Sequence, residues 1–318
     1  MPAMVFQFGL IGSLMVLATA AGYLVRRLRY LPQRAGEIIM TVVAVFGFPA
    51  VSFLSVWGTR LEPGDILLPA MAVAHVLVML PLSLVVSRWA SKDRSERGLF
   101  ILAGVLGNNG FTMGAFVLYL LYGEQGMGLG NLYLLFFIPL VVVLIYPMAR
   151  HYSTASPSLP MGRLMWRSVL DWRSIGLPAT ASAMVLSLLG VPRPWAVAQW
   201  HVVDILIYVI TPLAFFSIGL RLHFSRVLPL WRMLAALAVV RFFLGAAAGV
   251  GLAWLMPWPA GDLRWNVFVI EAFVPTAVIG VAVAGMFDLR PREASGLFVC
   301  NTLTYLVAVL PLVLWIFG

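Results

Sequence analysis

Charge is scarce in this chain. Only 10% of its 318 residues are Asp, Glu, Lys or Arg, while 62% are hydrophobic and the mean hydropathy is +0.99. Soluble domains carry roughly 25% charged residues. That balance excludes a water-soluble globular domain and makes lipid the solvent of most of the chain. Cysteine occurs once, as Cys300 in an apolar segment. An intrachain disulfide is therefore excluded, and cysteine says nothing of redox compartment. Four scattered histidines form no HExxH, and CxxC, GxSxG and phosphate-loop patterns are missing. The GLGN at Gly128 reads as a loop end. No enzyme and no cofactor are expected, and any transport must run on ion gradients, substrate gradients or voltage.

What is present is a series of apolar runs. Ten candidate spans fall at 5–25, 36–57, 65–88, 98–122, 128–149, 174–191, 197–220, 231–256, 264–287 and 294–317. Most exceed the roughly 20 residues a helix needs to cross a bilayer. The net charge of +9 would suit nucleic acid, but the basic residues other than Arg241 lie between or at the ends of spans, so no nucleic-acid partner is expected. Arg26, Arg27, Arg29, Arg34, Arg88, Lys92, Arg94, Arg97, Arg150, Arg163, Arg167, Arg173, Arg221, Arg226, Arg232, Arg290 and Arg292 fall on one side. Arg60, Arg193 and Arg264 fall on the other. The positive-inside rule then puts both termini outside a cell (inner or plasma) membrane. No basic residue precedes the first apolar stretch, so no cleavable signal peptide is expected.

Two landmarks recur. VFGFPAVSFLSV with Pro49 in span 2 matches YVITPLAFFSIG with Pro212 in span 7, an offset of 163. Span 4 breaks at Asn108-Asn109-Gly110 and span 9 at Pro275, an offset near 165. Residues 1–150 and 174–318 therefore read as two five-helix repeats. An odd number of spans per repeat makes the second inverted, a common transporter plan. Residues 151–173, interrupted by Pro157 and Pro160, read as a cytoplasmic amphipathic connector. Ser52, Ser55, Thr211 and Ser217 flank the prolines of spans 2 and 7 and are expected to satisfy the backbone groups freed there.

Ionisable groups inside a membrane are costly, by about 2.5–3.5 kcal/mol on insertion scales. Glu271 lies ~10 Å into span 9 and Arg241 ~15 Å into span 8, at 1.5 Å per residue. Two readings follow: an ion pair that locks the packing, or a coupling carboxylate with an arginine that balances it or attracts an anionic substrate. Glu271 and Pro275 are spaced i, i+4, and proline frees a carbonyl one turn earlier, near Glu271. Carboxylate and carbonyl oxygens together suit a small cation. In span 4, Gly107 and Gly110 allow the backbone to leave the helix, and Asn108 and Asn109 bring amides. Asn108 shares a helical face with Thr112. A half-helix starting after the break is expected to aim amides at an anion. Asn301, Thr304 and Tyr305 fall on one face of span 10 and add polar lining or helix-to-helix hydrogen bonds. Asp204 sits near the outer edge beside His201, and His75 reads as a packing residue.

Five segments together carry a resemblance. They are GYLVRRLRYLP (Gly22 to Pro32), VFGFPAVSF (Val45 to Phe53), GNNGFTMGAFVLYLLYG (Gly107 to Gly123), TPLAFFSIGLRL (Thr211 to Leu222) and the run from Val274 to Leu314. In order and spacing the chain resembles the auxin efflux carrier family, which includes bacterial carriers annotated for malonate and similar acids. The resemblance implies an all-α integral membrane fold of ten helices in a 5+5 inverted repeat, with broken helices 4 and 9 crossing. It implies a scaffold of helices 1, 2, 6 and 7, a transport core of helices 3–5 and 8–10, elevator-type movement and a homodimer. Asn109 is similar to the family's substrate-contacting asparagine and Pro275 to its second crossover proline. Two departures stand out: Asn108 and Phe116 occupy positions where many members have proline. Glu271 resembles the glutamate that bile-acid sodium symporters place four residues before their ninth-helix crossover.

The expectation is a secondary transporter of a small, carboxylate-like organic anion. Substrate contacts are expected from Asn108, Asn109, Gly110, Thr112, Pro275, Thr276 and Arg241. Ion coupling is expected from Glu271 and Asn301, with Glu271 the ligand if the ion is Na⁺ rather than H⁺. The alternative is a non-transporting membrane receptor or assembly subunit on the same fold.

Overall fold

The computed structural model describes residues 2–110, 113–153, 175–222 and 228–318. Of the sequence expectations, Thr112 and most of the 151–173 connector lie outside these residues. The described chain is helical, and five helices are long and apolar enough to cross a membrane: Arg34–Gly58, Gly64–Ala90, Val202–Arg221, Trp231–Ala253 and Glu293–Phe317. Large apolar side chains such as Trp89, Phe243, Val307 and Trp315 are exposed on their flanks. Such surfaces are at home against acyl chains.

Prolines shape the long helices in a regular way. Pro49, Pro147 and Pro311 each follow a π-helical turn, at Val43–Gly47, Val141–Ile145 and Tyr305–Val309. A proline ring clashes with the carbonyl four residues earlier, and that residue (Val45, Val143 or Val307) lies inside the turn each time. Widening the helix there relieves the clash without breaking the ladder. Pro212 does not behave like Pro49: it sits within the α-helix Val202–Arg221. A fourth π turn, Val239–Leu244, has no proline after it and carries Arg241.

Helix α1 (Pro2–Arg27) packs along the helix Val202–Arg221. Glycines permit the approach: a Cβ on Gly22 would lie 2.1 Å from Phe216 O, and one on Gly219 2.1 Å from Thr19 O. Small residues serve this purpose in lipid, where packing rather than hydrophobicity drives helix association. Ser52 Oγ and Thr180 Oγ1 are 2.6 Å apart, joining Phe48–Gly58 to Gly176–Leu188. Ser55 donates to Val51 O, one turn back. Of these two serines, then, one bonds its own helix and the other bridges to a neighbour.

One sequence expectation needs refinement. Spans 4 and 5 are separate helices, because the range Gly114–Tyr133 is interrupted at Gly123, whose φ of +65° and ψ of −154° are not helical. The chain folds back there: a Cβ on Gly130 would lie 3.3 Å from Ala115 Cα, and one on Gly126 2.7 Å from Leu118 O. The GLGN at Gly128 lies within the helix that follows this tight turn, not at a loop end. Its glycines face neighbours too closely for any side chain, Gly128 against Thr59 and Gly130 against Leu118 and Glu271.

Charged groups gather where helices end. Arg290 meets Asp93 and Glu96, Arg193 meets Glu124 at 2.7 Å, and Arg264 meets Glu62, Asp65 and Asp262. Asp204 accepts from the Tyr119 hydroxyl and faces His201 Nδ1 at 3.1 Å. Asp262 caps Leu263–Phe273, its Oδ1 accepting from Arg264 N at 2.8 Å and Nε at 3.0 Å. These side-chain bonds from Arg264 hold the Asp262 carboxyl below its ordinary range. The resulting stabilisation is present above the unfolded pKa of ~3.9 and is lost as pH falls through the lowered value. Thermal melts of wild type and Asp262→Asn should differ at neutral pH and converge below about pH 4. A separation that stays constant with pH would contradict this.

Candidate substrate site at the two helix breaks

The first break separates Arg94–Val105 from Gly114–Tyr133, and the second separates Leu263–Phe273 from Val278–Met286. Each leaves backbone N–H and C=O groups with no helical partner at a depth where water is scarce. The two breaks satisfy one another. Asn108 N donates to Pro275 O at 2.7 Å, and Ala277 N donates to Leu106 O at 2.8 Å, bridging Gly107 and Thr276 in antiparallel fashion. Thr276 N donates to Asn301 Oδ1 at 2.9 Å. Asn301 thus acts as a cap for the second break.

Side chains cross between the breaks as well. Proline cannot donate, so the Glu271 carbonyl loses its helical partner at Pro275. Asn109 Nδ2 supplies the missing donor, at 2.8 Å to Glu271 O, and also lies 2.8 Å from Glu271 Oε2. Glu271 is fully buried. Its Oε1 has no hydrogen-bond partner among the described residues. The carboxyl is tightly walled: a Cβ on Gly114 would lie 2.1 Å from Oε2, and one on Gly130 3.1 Å from Oε1.

Three sequence arguments fail here for geometric reasons. Asn108 and Asn109 lie outside any helix, so their expected helical-face partners do not apply. Glu271 and Pro275 do not share a helical face either, because the helix ends at Phe273 and Val274 is extended. Residues preceding proline are pushed out of the helical region. The half-helix beginning at Gly114 does not present all its first amides to a ligand. Gly114 N and Ala115 N donate to Asn108 O and Asn109 O, and Met113 N donates to Gly110 O.

The expected meeting of Arg241 and Glu271 takes another form. Arg241 is 1% exposed, and its guanidinium reaches backbone carbonyls. Nε and Nη2 donate to Val274 O at 3.1 and 2.6 Å, and Nη1 donates to Gly104 O at 3.3 Å. It therefore ties the last turn of one half-helix to the residue following the other. Nη2 is 2.7 Å from where a Gly107 Cβ would sit, so the guanidinium lies directly on the first break.

Next to these groups is a cavity of about 20 Å³, lined by His75, Val105, Gly107, Asn109, Tyr133 and Arg241 among others. That is space for roughly one water, so an organic ligand requires the site to open. His75 Nε2 faces Gly245 O at 3.0 Å. Of the span-10 trio, Asn301 and Tyr305 are buried, whereas Thr304 is exposed and donates to Cys300 O. Asn131 and Tyr133 were not among the expected site residues. Both are buried, and both Asn131 amide atoms lack partners among the described residues. The polar Asn131 near the start of span 5 was the available signal, hidden by reading the GLGN that contains it as a loop end.

A family model described as membrane transport protein matches residues 13–153 and 161–316. The chain belongs to that family. The match covers nearly the whole chain and is that of the auxin efflux carrier and bile-acid-like carriers. No curated protein matches the chain significantly. As a member of a transporter family with membrane-capable helices, it is a multi-pass membrane transport protein and not one of an enzyme family.

Proposed function

We propose that this protein is a secondary carrier that moves a small, carboxylate-like organic anion by elevator-type alternating access. The observation that carries this reading is the backbone pairing of Gly107 with Thr276, which gathers Asn109, Arg241 and Glu271 around one buried point. Converging half-helices at the bilayer midplane are where carriers bind substrate. In this reading ten helices form a 5+5 inverted repeat with both termini outside. Helices 1, 2, 6 and 7 are the scaffold, helices 3–5 and 8–10 the moving core, and two copies form a homodimer. Asn108, Asn109, Gly110, Thr112, Pro275, Thr276 and Arg241 frame the substrate, and Glu271 is the coupling group for H⁺ or Na⁺, with Asn301 holding its half-helix in place.

Counterflow of labelled small carboxylates in proteoliposomes tests the reading. Wild type should show saturable counterflow that responds to an imposed cation gradient. Glu271→Gln keeps the side chain's size but cannot ionise, and its counterflow should no longer respond. A response unchanged in Glu271→Gln removes Glu271 from coupling. No counterflow of any acid by folded protein favours the receptor or assembly-subunit alternative.

A further inference from the structure

Among the described residues Arg241 is a buried cation with no anionic partner. Among the described residues the ion pairs involve Arg193, His201, Arg264 and Arg290, and Arg241 makes none. Leaving a charge in a protein interior is costly unless hydrogen bonds replace its water. Here the replacement is main chain: Gly104 O in the last turn of Arg94–Val105 and Val274 O just past the end of Leu263–Phe273. Both half-helices turn their C-terminal ends to this point. Helix C-termini carry partial negative charge and outward carbonyls, and together they favour a cation. Guanidinium is always charged in proteins, and its planar fork can serve two carbonyls at once. The proline-free π turn at Val239–Leu244 surrounds the residue that does so.

Most of the oxygens that a sodium ion would need at the joint already accept hydrogen bonds. Hard cations bind through several oxygens at once. Val274 O and Gly104 O hold Arg241, Glu271 O and Oε2 accept from Asn109, and Asn301 Oδ1 accepts from Thr276 N. Glu271 Oε1, walled by Gly114 and Gly130, has no hydrogen-bond partner among the described residues, and neither have Asn131 Oδ1 and the Tyr305 hydroxyl. Among the described residues no group of three or more His, Cys, Asp or Glu could hold a metal ion. A guanidinium thus already sits on the carbonyls of both helix ends, where a second cation would be repelled.

We propose that the Arg241 guanidinium is a tethered cation standing in place of a metal ion at the two converging helix ends, so that this protein binds and moves its substrate without Na⁺. The transport clause rests on the carrier reading; the binding clause does not.

The test is the melting temperature of the purified full-length protein in detergent, in NaCl against choline chloride at equal ionic strength. Any ion that binds only the folded state raises that temperature by mass action. Wild type should melt within roughly 1 °C in the two salts. Arg241→Ala should melt about 10 °C lower and recover part of the loss in millimolar methylguanidinium, which fills the vacated fork. Arg241→Lys, which keeps the charge, should melt between the two because a point charge cannot serve both carbonyls. A rise in wild-type melting temperature with Na⁺ overturns the proposal. So does an Arg241→Ala or Arg241→Lys protein as stable as wild type, or a folded Arg241→Ala that ignores methylguanidinium. Counterflow separates the failures: none in either salt defeats the carrier reading while the melts still judge Arg241, and counterflow only in Na⁺ defeats the proposal while the carrier reading stands.

Discussion

Asn109→Ala should reduce carboxylate counterflow by about 100-fold or more, equivalent to ~2.7 kcal/mol at the transition state. The size follows from what Asn109 holds. Its Nδ2 donates to the carbonyl that Pro275 leaves without a helical partner and also lies 2.8 Å from the Glu271 carboxylate. Alanine leaves both acceptors buried. A stranded neutral acceptor costs about 1–3 kcal/mol, and a stranded charge costs more. The loss falls on the joint between the two breaks, so the melting temperature should drop together with transport. Asn109→Asp should do worse, because it replaces a donor by a second carboxylate against the first. Thermal melts and counterflow on the same preparations check this. An Asn109→Ala protein with wild-type melting and transport would show that the joint does not depend on the amide.

Gly114→Ala should be the one-methyl change that most directly disturbs the Glu271 carboxyl. The added carbon would sit 2.1 Å from Glu271 Oε2 and 2.8 Å from Asn109 O, and neither neighbour is a free chain end. Glu271 Oε2 is held by Asn109, and Asn109 O is main chain that accepts from Ala115 N. Overpacking of a well-packed interior typically costs 1–3 kcal/mol and more where nothing can yield. We expect Gly114→Ala to lower the melting temperature by about 10 °C or to prevent recovery of monodisperse protein. Gly251→Ala is the matched control, since nothing lies within 4 Å of its added carbon. Size-exclusion profiles and melts of the two variants side by side decide the matter. Equal behaviour would mean that the Glu271 carboxyl is not packed against Gly114.

The class of the molecule was legible in its composition, and the breaks were legible as polar and proline-bearing interruptions of apolar runs. Glu271, Arg241 and Asn109 stood out because lipid makes such groups costly. Their pairing was not legible. Periodicity presumes a helix, and it linked Asn108 to Thr112 and Glu271 to Pro275, although neither Asn108 nor Pro275 is helical. Arg241 and Glu271 were matched by depth and charge, yet each found backbone or amide partners, because broken helices supply unsatisfied carbonyls that a sequence does not display. Gly123 does mark the turn between spans 4 and 5, but the turn is tight, and the GLGN at Gly128 lies in the helix beyond it, where its glycines permit close packing around Glu271.

The central claim is that the joined breaks are the substrate site. Counterflow of a labelled small carboxylate, measured in parallel for wild type, Asn109→Ala and Thr180→Val, tests it most directly. Thr180 is a suitable control because its hydrogen bond to Ser52 joins two other helices, away from the breaks. Such a bond in a membrane is worth under ~2 kcal/mol. Wild type and Thr180→Val should show saturable counterflow, and Asn109→Ala should lose nearly all of it. Counterflow by Asn109→Ala with wild-type rate and half-saturation would contradict it.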